Sequence, residues 1–166
     1  MATRTILEGD NPRLRKVSKE VKKVNEHICE LLDDMAQTLY DARGVGLAAP
    51  QVGALRRIAI IDVGEGLIEL INPEIIEMEG QQREEEGCLS LPEDNGYVLR
   101  PEYVKVRAMN REGEIKEYEG SGLFARAVCH EVDHLDGVLF IDKIVERIYP
   151  DDDEGLEEAE NNINEL

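Results

Sequence analysis

The pentad His130-Glu131-Val132-Asp133-His134 is the densest group of reactive side chains in this 166-residue chain. Histidine is scarce, three in all, and two of them flank a glutamate here. On a helix, residues four apart share one face. The two imidazoles can then bind one metal ion, and Glu131 can reach a water on that ion. The ion would lower the pKa of the water, and Glu131 would take its proton and pass it on to a leaving group. The plainer alternative is two histidines on a core or solvated face. Their scarcity and the glutamate between them favour the metal.

A catalytic metal needs a third protein ligand and an open position. One protease class takes a third histidine six residues past the second, but that position is Phe140. Another takes a downstream glutamate. Glu154, Glu157 and Glu158 qualify by distance, although they lie in an acidic run that is poor ground for a rigid ligand. A cysteine is the third choice. Cys88 follows Gly87, which lets backbone come close. Cys129 adjoins His130, but helical geometry turns it roughly 100° away. Cys29 falls on the core side of an earlier helix, where a small buried thiol is the expected role. Cys88 is the best candidate.

A second unusual stretch is GVGLAAPQVG, residues 44–53. Side chains this small imply that another backbone or a ligand comes close. Gln51 is the polar exception. A phosphate loop is disfavoured, because no Gly-Lys-Ser/Thr follows.

These residues need elements to hold them. Residues 25–43 carry Ile28, Leu31, Leu32, Met35, Leu39 and Ala42 at helical spacing, with Asn25 as N-cap and Gly44 as terminator. RRIAIIDV and LIELINP read as strands, EIIEMEG as another, and YVKVRAMN with EIKEYEG as a hairpin about Glu112-Gly113. GLFARAVCHEVDHLDG reads as a second helix closed by Gly137. On it, Leu123, Ala127, His130 and His134 share one face. The order helix, several short strands, helix predicts an α+β fold.

The whole chain sets further bounds. Its length favours one domain, residues 1–150, with residues 151–166 as an acidic tail. No apolar run is long enough to span a membrane, and the first residues lack the apolar segment of a signal peptide. Three cysteines without an export signal point to a reducing compartment and thiols rather than disulfides. A net charge of −18 repels nucleic acid from most of the surface, so a DNA-binding role is disfavoured.

GVGLAAPQVG, EGCLS and HEVDHLDG, in that order, resemble the three motifs of the peptide deformylases. The resemblance runs from DNPRLRKVS to GVLFIDKI. It implies hydrolysis of the N-formyl group from the formylmethionine that begins newly made polypeptides. It implies an α+β fold, short antiparallel strands around a central metal-binding helix, in the cytoplasm of a bacterium or an organelle of bacterial origin. The implied ligands are Cys88, His130 and His134, with Fe2+ as the usual metal and Zn2+, Ni2+ or Co2+ able to replace it. Glu131 becomes the acid–base residue. The Gln51 side chain and the Leu89 backbone N–H donate to the oxyanion. Val45 and Gly46 pair with the substrate backbone. Leu123 and Ala127, with Val45 and Leu89 opposite, wall a pocket for methionine.

The chain departs from the family pattern in three places. Cys129 stands where glutamine often precedes the first histidine. Glu84 stands where an apolar pocket residue can occur. The tail is acidic, the wrong sign for docking on ribosomal RNA. Two other readings use the same pentad: an endopeptidase with a tail glutamate as ligand, and a structural metal module. The second needs a fourth closing ligand, and no further Cys/His cluster supplies one.

Overall fold

A computed structural model describes residues 2–149. The acidic run 151–166, with Glu154, Glu157 and Glu158, lies outside the described residues. In chain order the elements are α1 (Glu26–Asp41), β1 (Gly46–Ala48), β2 (Ile58–Ile61), β3 (Ile68–Glu79), β4 (Gln82–Cys88), β5 (Leu91–Arg100), β6 (Tyr103–Met109), β7 (Ile115–Ser121), α2 (Leu123–Leu135) and β8 (Ile144–Ile148). A 3-10 turn, Ala49–Val52, follows β1.

The Asn25 side chain caps α1 by accepting from the backbone N of Ile28 at 3.0 Å. The helix buries Ile28, Leu31, Leu32, Met35 and Leu39 against Leu47, Ile58, Ile60 and Ile71. Each such side chain contributes about 1.5–3 kcal/mol. Cys29 is only half-buried, at the edge of that stripe, which corrects its expected burial.

LIELINP and EIIEMEG are one strand, β3, of 12 residues, so not every strand is short. The break suggested by Asn72-Pro73 is a bulge. Asn72 has φ +53 and exchanges two hydrogen bonds with the backbone of Val21. Asparagine tolerates that conformation better than most residues.

Two antiparallel sheets form, in the orders β1-β2-β3-β6-β7 and β4-β5-β8. Helix α2 lies against β1, β2, β6 and β7 and also touches β5. Its apolar side packs Ala125, Ala127, Val128 and Cys129 on Ile61, Leu70, Val104 and Val106. The structure is thus α+β with the HEVDH helix at its centre. The second sheet was hidden in the sequence. β4 and β5 are too polar to alternate cleanly, and β8 follows the second helix in a stretch to which the sequence reading gave no strand.

Candidate active site

The three motifs meet at one buried point. Cys88 ends β4 and pairs with Leu91 across a tight turn made by Leu89 and Ser90. His130 and His134 project from α2, and all three ligand candidates are about 1% exposed. Nε2 of His130 and Nε2 of His134 are 3.2 Å apart, and Nε2 of His134 is 3.4 Å from Sγ of Cys88. Around a tetrahedral ion, bonds of about 2.0–2.1 Å to nitrogen and about 2.3 Å to sulfur set such separations near 3.3 and 3.6 Å. The donor set therefore fits a single divalent ion. Cys129 is absent from this cluster. It packs among apolar residues, and burial above all pushes its thiol up to about 11. That favours a packed, neutral thiol over a reactive one.

Glu131 is fully buried, and neither carboxylate oxygen has a hydrogen-bond partner. Burial, and then the negative Glu86, push its carboxyl well above the usual range. Such a group holds a proton readily. Gly46 lies directly against it. A Cβ at Gly46 would overlap Oε2 of Glu131 and come within 3.0 Å of its Cδ. This explains Gly46 in GVGLAAPQVG: helix α2 presses its glutamate into the backbone of β1.

Gln51 is also fully buried. Its Oε1 accepts from the backbone N of Ala48 at 2.9 Å, closing its own turn. Its Nε2 donates to Oγ of Ser90 at 3.1 Å and reaches Sγ of Cys88 at 3.7 Å. The amide thus spans the first and second motifs.

Val45, Leu123 and Ala127 belong to one apolar cluster. Leu89 packs in the other, with the α1 residues, so its side chain is a core contact and its backbone adjoins Cys88. Glu84 is exposed on β4.

Sequence reading missed Glu86 and Arg100. Oε1 of the buried Glu86 lies 2.9 Å from Nδ1 of His130. Arg100 grips both oxygens of Glu86, at 2.8 and 2.9 Å, and reaches Asp133 at 2.6 Å. Burial alone would raise the Glu86 carboxyl. Its hydrogen bonds to Arg100 and His130 outweigh that and hold it down at about 2. The pair therefore stabilises the fold above the usual carboxylate pKa, and that stability is lost as pH falls towards about 2. With Glu86 accepting at Nδ1, Nε2 of His130 is left to face a metal. A charged residue two before Cys88 was the available clue, but it was hidden among three consecutive glutamates. We expect Glu86→Gln to weaken metal binding roughly 10–100-fold in a chelator competition. Unchanged metal affinity would remove this positioning role.

A polypeptide deformylase family model matches residues 3–148. The chain is 58% identical over 161 residues to a peptide deformylase of Acetivibrio thermocellus, covering 97% of this chain and 94% of that one. It is 55% identical over 159 residues to a peptide deformylase of Caldanaerobacter subterraneus subsp. tengcongensis, covering 96% and 100%. The crystal structure of a peptide deformylase from Thermotoga maritima superimposes with a TM-score of 0.84 at 43% identity, covering 87% of this chain and 99% of that chain. Motifs, fold and relatives agree: the chain belongs to the polypeptide deformylase family, metal-dependent hydrolases that remove the N-formyl group from nascent peptides.

Proposed function

We propose that Cys88, His130 and His134 hold one Fe2+ ion, with Zn2+, Ni2+ or Co2+ able to replace it, and that Glu131 is the acid–base residue of deformylation. The observation that carries this is a buried Cys/His/His cluster beside a buried carboxylate without hydrogen-bond partners. When bound, the ion would supply Lewis acidity to the formyl oxygen and to the attacking water.

The chain's own groups do the rest. Glu131 takes a proton from the water and gives it to the departing amine. Its position against Gly46 limits where its oxygens can sit. Gln51 keeps one N–H on Ser90 and turns the other, now on the Cys88 side, to the developing oxyanion. The backbone N–H of Leu89 is the second donor. Strand β1 is at the edge of its sheet. Val45 and Gly46 can therefore accept the formylated chain as an added strand. Leu123, Ala127 and Val45 receive the methionine side chain, with Leu89 at the far rim.

Residues 1–150 form the catalytic domain in this reading, and 151–166 an acidic extension with no part in the chemistry. The protein works in a bacterial-type cytoplasm, where formylated chains arise. None of the described helices is long and apolar enough to cross a membrane.

The test is formate release from short formyl-Met peptides by protein purified without oxygen, with its metal content measured. We expect Gln51→Leu to lower kcat and kcat/KM together, by about 2.7–4 kcal/mol of transition-state stabilisation, with KM little changed. A rise in KM alone would make Gln51 a binding residue and not an oxyanion donor.

A further inference from the structure

We propose that residues 6–18 form a strap across the three motifs, and that the backbone N–H groups of Leu7 and Gly9 position Gln51 for the oxyanion. The proposal rests on the reading of Gln51 as an oxyanion donor. Leu7 and Gly9 are positioning residues in it, since they act through Gln51 and touch no reacting atom.

Backbone hydrogen bonds carry the inference. The N–H of Leu7 donates to the carbonyl of Gln51 at 2.7 Å, and the N–H of Gly9 donates to the carbonyl of Ser90 at 2.8 Å. Both bonds converge on one side chain. Oγ of Ser90 accepts from Nε2 of Gln51 at 3.1 Å, and the backbone N of Ala48 holds Oε1 of Gln51 at 2.9 Å. The amide is thus held by Ala48 and Ser90, while the strap holds the main chain of Gln51 itself and of Ser90. Further along, the N–H of Ser18 donates to the carbonyl of Leu135, the residue after His134, at 2.8 Å. One segment is therefore bonded in turn to GVGLAAPQVG, EGCLS and HEVDHLDG.

Packing reinforces these bonds. Ile6 joins the apolar cluster that holds Leu89, and Leu7 joins the one that holds Cys88 and Leu91. The strap is also anchored upstream. The backbone N of Ala2 and Nε of Arg4 donate to the Asp34 carboxylate of α1 at 2.9 and 3.0 Å, and the backbone N of Arg4 donates to Oγ1 of Thr38 at 2.9 Å. Gly9 has φ +66 with open space where a Cβ would stand, so its conformation and not crowding calls for glycine. The need for a strap follows from where Gln51 sits. The histidines ride on a 13-residue helix, whereas Gln51 rides on a four-residue 3-10 turn. Groups on short irregular segments are placed less exactly than groups on long elements, and an oxyanion donor misplaced by about 1 Å loses much of its effect. Bonds from outside the turn supply the missing rigidity.

The test is amide-to-ester exchange in the full chain, with the α-hydroxy acid of leucine in place of Leu7. The exchange deletes the N–H and leaves the side chain. The control is the same exchange at Val21, whose N–H donates to Oδ1 of Asn72 at 2.9 Å and to none of the motifs. We expect the Leu7 ester to lower kcat on a formyl-Met tripeptide at least ~10-fold, with KM and metal content unchanged. In a Gln51→Leu background the same ester should lower kcat by less than ~2-fold further, because both changes act on one donor. The Val21 ester should lower the melting temperature and keep kcat. A Leu7 ester with normal kcat, a loss matched by the Val21 ester, or an undiminished loss in the Gln51→Leu background overturns the proposal. If the Leu7 ester does not fold, glycolic acid in place of Gly9 is used under the same criteria. Failure of both to fold would make the strap purely structural and also overturns the proposal. A Gln51→Leu protein with normal kcat would instead strike the oxyanion reading on which the strap's role rests.

Discussion

Glu131→Gln will retain its metal and lose turnover by at least ~10²-fold, the usual scale of general acid–base catalysis. The substitution is nearly isosteric, so the cavity against Gly46 is still filled. The carboxyl has no hydrogen-bond partner to lose, so the fold should be about as stable as before. Loss of activity with retention of stability separates a chemical role from a structural one. Thermal melting and metal analysis beside the formate assay check it. A metal-loaded Glu131→Gln protein with near-normal kcat would sink the proposed mechanism.

The second large effect concerns the thiols. Cys88→Ala will lose the metal, and with it activity, while Cys129→Ala will keep both. Cys88 has His134 at 3.4 Å and Gln51 at 3.7 Å, whereas Cys129 sits in the apolar cluster under α2. Cys129→Ala should cost about 1 kcal/mol or less, the worth of a small buried group. Metal quantification on both purified variants decides the matter. The reverse pattern would move the ligand to Cys129 and contradict the geometry.

The Cys88, His130 and His134 cluster was legible from sequence because its chemistry is concentrated. Two histidines at helical spacing, a cysteine beside a glycine and a lone glutamine among small residues each depart from background. Helix α1 was legible because its apolar stripe is strictly periodic and Asn25 caps it. The Glu86–Arg100–Asp133 clamp was not. Its members come from β4, β5 and α2, and each belongs to a common residue type in a chain that is 34% charged. Only pairing in space marks them out. The β4–β5 hairpin was obscured for a related reason. Glu84, Glu85 and Glu86 hide the alternation, although the third of them points inward. The reason for Gly46 was also invisible, since its neighbour Glu131 lies 85 residues away in the chain.

The bare backbone at Gly46 has a bearing on breadth of service. With no side chain possible there, the wall of the site at that point offers only peptide N–H and C=O groups, which every polypeptide can match regardless of its sequence. A deformylase built this way would be indifferent, at that point, to the residues beyond the initial methionine. The source of that indifference would be crowding: the buried Glu131 occupies the space in which a selective side chain would have to grow.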